Sequence, residues 1–497
     1  MSHPVHPVDP VQGPSGTSLE SEPTSVCQEK GEGGNDRPAR SMADPSSGRA
    51  GVWLFALLFL CYVYVHQDPG GGTSASRLDL LHALVVKGTF AIDAYAHNTS
   101  DKASYRGHYY SDKPPGTVVV ALPAFAVGIG VLRLSGVDPE SPEGWVLSSW
   151  IATAGSVAWI TALGGVFFFF WLRRWIEPKP ALVTTLAVFL GAAPFPYSTM
   201  MFSHGMAVAL VAAALSASGP VGTPGPAGES RWRDYSAGFC LGFALASEYT
   251  AGLVIVGLFV LLAGMRKGRT LRLLAGALPP LLLIPAYNWI CFENPFVVGY
   301  SYQATFPEMQ RGLFGIRGPS GRVLYEYLLG PTRGLLFWTP FLALALAGYP
   351  TLFCRSRPMF WAALVIPLVD ILCFSGYGWD WRAGWTLGPR YLAPLLPLLG
   401  LAAGLGLRRW PRFGPGLAVA SVLLTGLGTL VDATPQYEIA NPLTELHIPK
   451  LIAGTFTHNL GQLAGLPSYA SLIPLVLGAA CYGTMLWREI DKPRPCP

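Results

Sequence analysis

Apolar runs of about 15–25 residues recur along nearly the whole chain, and short polar stretches separate them. A run of that length matches the hydrocarbon thickness that a single helix crosses. In the bilayer core the backbone must satisfy its own hydrogen bonds, so the runs predict helices. Leu, Ala, Gly, Val and Phe fill them without the two-residue alternation of a membrane β-barrel. The pattern predicts an all-α integral membrane protein with about 12 transmembrane helices. They are expected at 52–65, 147–171, 180–196, 203–218, 234–247, 250–265, 273–291, 335–353, 358–376, 389–406, 412–431 and 468–487.

Two segments break the simple alternation. Residues 114–133 are apolar enough to span, yet crossing there would turn every later basic loop to the other side. They are expected to lie in or dip into the outer leaflet, with Pro123 breaking them midway. Residues 75–87 read as an amphipathic interfacial helix, because Leu78, Leu81, His82 and Val85 share one face. Residues 1–50 are rich in Pro, Gly and Ser with almost no aromatics, and are expected to be a disordered cytoplasmic tail. The membrane domain then covers 51–490.

Basic residues orient the spans. Arg173-Arg174, Arg231 and Arg233, the Arg266-Lys267-Gly268-Arg269 cluster, Arg355 and Arg357, Arg408-Arg409 and Arg488 fall on one side if the spans alternate. With that side cytoplasmic, both termini are cytoplasmic and the chain is a multi-pass protein of the cytoplasmic (inner) membrane. The loops 66–146, 292–334, 377–388 and 432–467 are then outer. Composition agrees: 51% of the 497 residues are hydrophobic and only 13% charged, about half the charge of a soluble domain. The net charge of +5 is the Lys/Arg excess of cytoplasmic loops, not a nucleic-acid footprint. The eight cysteines show no CxxC pair and no metal-site spacing, so they read as packing residues.

The polar chemistry gathers in the outer loops. Residues 88–116 bring Asp93, Asp101, Asp112, Lys102, Lys113 and Arg106 together with two histidines and four tyrosines, Tyr110 among them. A carboxylate there could serve as general base, and a Lys or Arg could hold a phosphate. In Lys113-Pro114-Pro115-Gly116 the prolines fix the backbone where a helix begins, which holds the lysine at headgroup height. Residues 375–394 carry Trp379, Trp381, Trp385, Asp380, Arg382, Arg390 and Tyr391. Rings stack on the apolar faces of a sugar, polar groups take its hydroxyls, and Arg390 would meet an anion. His204 and Glu248 fall near the outer ends of spans, where an ionisable group points to function.

These residues resemble the GT-C superfamily of membrane glycosyltransferases, in the bacterial branch related to protein O-mannosyltransferases and lipid A aminoarabinose transferases. The resemblance covers about residues 50–410. It rests on the first span, the long outer loop, Tyr109-Tyr110-Ser111-Asp112-Lys113-Pro114-Pro115, Phe202-Ser203-His204, Glu248-Tyr249 and Gly388-Pro389-Arg390-Tyr391-Leu392. It implies an inverting glycosyltransferase that moves a hexosyl or pentosyl unit from a polyprenyl-phosphate donor to a lipid, glycan or protein acceptor at the outer face. Lys113 and Arg390 would bind the donor phosphate. Tyr110, His204, Glu248, Trp385 and Tyr391 would bind substrate. Many relatives carry an acidic pair after the first span, where this chain reads His66-Gln67-Asp68-Pro69. The base is therefore expected at Asp93, with Asp68 as second choice and Asp101 as a positioning or metal-binding acid. A divalent metal is compatible with these acids and required by none of them. The competing readings are a transporter or flippase of a lipid-linked sugar, which predicts acids inside several spans, and a non-catalytic scaffold.

Overall fold

The computed structural model describes residues 1, 45–70, 72–219, 231–265, 268–311 and 314–492. Most of the expected tail over 1–50 and the Arg266-Lys267 pair lie outside the described residues. The first helix, α1 (Pro45–Tyr64), begins earlier than expected and takes in the last part of that segment.

Among the described residues, seven helices are long and apolar enough to cross a bilayer: Gly116–Leu134, Pro142–Leu172, Arg269–Phe292, Arg357–Ser375, Arg390–Leu407, Phe413–Val431 and Ser468–Asp491. Gly48–Tyr64, Ser203–Ala217 and Tyr249–Ala263 are shorter apolar helices. The chain is thus a multi-pass helical membrane protein. Two expected spans are interrupted. Residues 180–196 form a helix over Pro178–Phe189 and a separate turn over Pro194–Tyr197. Residues 335–353 divide into Leu335–Trp338, a 3-10 turn over Pro340–Leu344, and Ala345–Arg355. Prolines 194, 196 and 340 lack the N–H that would continue each helix.

The helices share one basic end. Arg408 pairs with Glu177 at 3.1 Å and Arg355 donates to the Trp175 carbonyl. Asp234 takes Arg269 at 2.8 Å and Arg272 at 2.9 Å, and Arg269 reaches the Ser218 carbonyl at 3.0 Å. The polar loops collect at the other ends.

Two expectations fail there. Pro123 does not break its segment: α3 (Gly116–Leu134) is one continuous apolar helix. Membrane helices tolerate proline where neighbours and local adjustment satisfy the freed carbonyl. Its close approaches are Gly128 to Ile151, Ala124 to Gly155, and Gly116 to Ala246 and Ser247. The second failure is α2 (Thr73–His82), which is buried on every residue and is no interfacial helix. Its polar side faces protein. Ser76 bonds Ser111 at 2.8 Å, Arg77 donates to Ser203 at 2.8 Å, and His82 bonds Ser148 at 3.2 Å.

Between α2 and α3 runs a hairpin that the sequence pattern did not announce. Strands β1 (Lys102–Tyr105) and β2 (His108–Ser111) pair antiparallel, with Lys102 opposite Ser111. The two-residue turn has left-handed φ at Arg106 (49°) and Gly107 (85°), as the twist of a tight hairpin requires.

Asp79 on α2 gives a pH-sensitive test of this burial. Asn98 donates to one oxygen at 3.1 Å, and the other has no hydrogen bond among the described residues. Burial pushes the carboxyl up to about 8, against the opposing pull of Asn98 and Lys102. The folded state therefore holds this proton more tightly than the unfolded chain, whose aspartate titrates near pH ~3.9. Stability contributed at low pH is lost as pH rises through about 8. Melting in detergent between pH 5 and 8 should show wild type losing stability relative to Asp79→Asn, by at most about 1.4 kcal/mol per pH unit. Parallel curves would mean that Asp79 is hydrated.

Candidate active site

A cavity of about 290 Å³ opens among the polar ends of the helices. Thr73 enters it from the first residue of α2, and Asp101 and Lys113 from either side of the hairpin. His204 comes from the start of α4 (Ser203–Ala217), and Glu248 follows α5 (Arg231–Ser247). Arg390 and Tyr391 precede the last residues of the Arg390–Leu407 helix. Leu253, Phe314, Ile316 and Phe374 make an apolar portion of the wall.

Lys113 is the hub. Its ammonium is 2.9 Å from Asp101 Oδ2 and 3.2 Å from Asp112 Oδ1, and lies 5.2 Å from the centre of the Tyr300 ring. Burial alone would lower the lysine, but Asp101 and Asp112 outweigh it and keep the ammonium charged. Burial raises the Asp101 carboxyl. Lys113, the Thr73 hydroxyl at 2.7 Å and Arg390 more than reverse this, so Asp101 sits below the usual carboxylate range. Asp112 goes the other way: burial and neighbouring Asp101 raise it, despite Lys113 and a 3.1 Å bond from Gln303. Of the two acids around this ammonium, Asp101 faces the cavity with its carboxyl held low, and Asp112 lies behind it with its carboxyl raised.

Thr73 links this group to the second cation. Its hydroxyl donates to Asp101 and accepts from Arg390 Nη1 at 3.4 Å. The Arg390 guanidinium also lies 5.3 Å from the Phe202 ring and 5.2 Å from the Tyr391 ring. Deeper in, Glu248 accepts from the Ser203 hydroxyl and from Thr250 N and Oγ1 at 3.2 and 2.8 Å. Arg77, fully buried, is 3.8 Å from it, and His204 Nδ1 is 3.6 Å away. Burial raises Glu248, while His204, Arg77, Ser203 and Thr250 together hold it low. Neither ring nitrogen of His204 makes a hydrogen bond among the described residues.

Of the ten residues assigned a role from sequence, Asp101, Lys113, His204, Glu248, Arg390 and Tyr391 converge on the cavity, and Trp379 and Asp380 of the 375–394 stretch join them. Four do not line it. Asp93 accepts from Tyr109 N at 2.6 Å and His108 Nδ1 at 2.7 Å on the hairpin's exposed side, so its task is to brace the hairpin. Asp68 is 70% exposed and paired with His458. Tyr110 packs its ring against Phe292, and Trp385 is 45% exposed. Sequence reasoning missed Thr73 and Arg77, hidden in what looked like an interfacial helix. It also missed Asp370, a fully buried acid inside α6 (Arg357–Ser375) whose oxygens make no hydrogen bond among the described residues. No group of three or more His, Cys, Asp or Glu suited to a metal ion occurs among the described residues.

No family model matches the chain, and no curated protein matches it. Solved structures similar to it include ArnT from Cupriavidus metallidurans in the apo state, at 17% identity over 89% of this chain and 74% of that one, TM-score 0.49. The same protein bound to undecaprenyl phosphate gives 16% identity, 89% and 75% coverage and TM-score 0.49. The archaeal oligosaccharyltransferase AglB from Archaeoglobus fulgidus, in complex with an inhibitory peptide and a dolichol-phosphate, gives 12% identity, 88% and 56% coverage and TM-score 0.42.

The Arg77–Ser203–Glu248 group can be tested by a double-mutant cycle on detergent-purified protein. Glu248→Gln should cost about 3 kcal/mol, because it leaves Arg77 buried without its counter-charge. Arg77→Met with Glu248→Gln should cost less than the sum of the single changes, by at least about 1 kcal/mol. Simple additivity would show that the two charges do not interact.

Proposed function

We propose that the chain is an inverting glycosyltransferase that takes a sugar from a polyprenyl-phosphate donor and passes it to an acceptor hydroxyl or amine in this cavity. The observation that carries the reading is the continuous set Lys113–Asp101–Thr73–Arg390 on one cavity wall, with an apolar portion beside it. Lys113 and Arg390 are two charged donors for a lipid phosphate. Asp101 is an ionised acceptor between them, the form that a base needs. Apolar Leu253, Ile316 and Phe374 suit the first isoprene units.

In the reaction the acceptor oxygen or nitrogen attacks the anomeric carbon, and its proton passes to Asp101. The bond from that carbon to the phosphate oxygen breaks, and the electron pair leaves with the polyprenyl phosphate. That group gains a negative charge, which Lys113 and Arg390 stabilise in a site of low dielectric. Asp101 here replaces Asp93 as the base. We take the helices to make 12 alternating passes, with α3 against the outer leaflet, the basic ends cytoplasmic and the cavity on the outer face of the inner membrane. Against a transporter, the charged groups of the cavity lie in loops and at helix ends; Asp370, buried inside a long helix, does not line it.

Full-length protein in detergent, given radiolabelled polyprenyl-phosphate sugars and membrane acceptors, should transfer label. Asp101→Asn should slow transfer by about 100-fold or more, while Asp112 still pairs Lys113. Lys113→Ala should weaken donor binding as well as turnover. Asp93→Asn and Asp68→Asn should leave the rate within about twofold, as expected of surface positions. An Asp101→Asn enzyme with wild-type turnover would end the assignment.

A further inference from the structure

Asp380 lies on a turn that the fold holds still with unusual effort. Its Oδ1 accepts from the Tyr437 hydroxyl at 3.1 Å and from Gly384 N at 3.3 Å. Arg333, 1% exposed, donates to the carbonyls of Arg382, Gly384 and Thr332 at 2.7, 2.9 and 2.9 Å. No carboxylate lies in salt-bridge range of it among the described residues. The Tyr327 hydroxyl donates to the Trp381 carbonyl at 2.8 Å. This clamp maintains a left-handed Ala383 (φ 59°) followed by Gly384 (φ 73°), a conformation that costs an alanine roughly 1 kcal/mol or more. A buried arginine bonded only to loop carbonyls sets the shape of that loop.

The clamped turn brings Asp380 to the cavity next to an aromatic wall, and its Oδ2 makes no hydrogen bond among the described residues. Trp379 and Tyr377 also line the cavity; their ring centres are 5.2 Å apart, and Tyr377 in turn meets Tyr391 at 5.5 Å. A carboxylate oxygen and aromatic faces suit a ligand with hydroxyls on its edge and C–H bonds on its face. Arg390 adjoins the same turn, its Nη2 4.0 Å from where a side chain on Gly384 would start, so a donor and an acceptor for ring hydroxyls stand side by side there.

We propose that Asp380 is a specificity-determining residue for the transferred sugar: its free oxygen accepts from ring hydroxyls while Trp379 and Tyr377 lie against the ring face. This rests on the glycosyltransferase reading above and adds to it the group that tells one sugar from another. Arg333 and Tyr437 are positioning residues that keep that oxygen in place. A buried acceptor left without its hydroxyl penalises the wrong sugar, which is how a hydrogen-bonding site discriminates strongly.

The test uses full-length protein in detergent and a probe set of short-chain prenyl-phosphate glycosides of glucose, mannose, galactose and arabinose, with prenyl phosphate and prenol as controls. Binding is measured by calorimetry. Wild type should prefer one sugar over the others by at least about tenfold. Asp380→Asn should compress that preference to within about threefold and leave prenyl phosphate binding unchanged. Lys113→Ala should weaken all the glycosides together and keep their order. Tyr437→Phe, which leaves the carboxylate in place but frees it to move, should give an intermediate spread, and it serves as the second variant if Asp380→Asn folds poorly. An Asp380→Asn protein that keeps the wild-type order and spread overturns the inference while the glycosyltransferase reading stands, as does a wild type indifferent to the sugar. A wild type that binds prenyl phosphate and its glycosides no better than prenol overturns both.

Discussion

A lysine ammonium cannot be buried without an acid beside it, and Lys113 is 7% exposed. That single constraint fixes much of the outer structure. The two acids that satisfy it, Asp101 and Asp112, lie just beyond the open end of a hairpin of two four-residue strands, because Lys102 pairs with Ser111. The register comes from the Arg106-Gly107 turn, whose two left-handed residues allow a two-residue connection. One added residue there would slip the pairing and turn alternate side chains to the opposite face. Asp93 acquires its role from the same constraint: by accepting from His108 and Tyr109 it ties the second strand to the preceding segment. The Ala103–Gln303 bridge and the Gln303 bond to Asp112 then fasten the later loop onto the hairpin.

Much of this was legible in the sequence, for identifiable reasons. Lys113 stood out because two prolines follow it at a helix start, and Arg390 because it precedes a long apolar run. Asp93 and Asp101 could not be separated, since both lie in the same polar stretch and only the fold of the hairpin turns one outward and the other inward. The strands Lys102–Tyr105 and His108–Ser111 are too short to show a period, and Arg-Gly is a weaker turn signal than Asn-Gly. Helix α2 misled for a different reason. An apolar stripe opposite Ser, Arg and Asp normally means one wet face, but here the Ser203 hydroxyl, the Glu248 carboxylate and the Asn98 amide cover that face. Sequence periodicity reports polarity, and it does not say whether water or protein supplies the partners. The broken spans at Pro194 and Pro340 were similarly hidden inside long apolar runs.

The distribution of irregular backbone follows from the same physics. Lipid cannot hydrogen-bond a free carbonyl, so non-helical segments at depth must be enclosed by protein. The described 3-10 turns at 249–251, 299–302 and 390–395 each supply cavity-lining residues. Each of these segments frees main-chain and side-chain groups to face inward, which a straight helix would keep in its own ladder. Glu248 shows the result: it caps the turn at Tyr249–Ala251 through Thr250 N and at the same time meets Ser203.

Enclosure also decides how strongly those groups act. Two cations and an ionised aspartate in contact with bulk water would exert little force across a few ångströms, since water screens them. Here the apolar side of the cavity, with Leu253, Ile316 and Phe374, borders the charged side directly. A ligand that fills the apolar side displaces water from around Lys113 and Arg390 and raises the effective charge that both present. An amphiphile with an anionic head does this by the act of binding, whereas a free phosphate of the same charge leaves the apolar side wet. On the proposed reading, this layout would favour a lipid-linked phosphate over a soluble one before any contact specific to the head group is made.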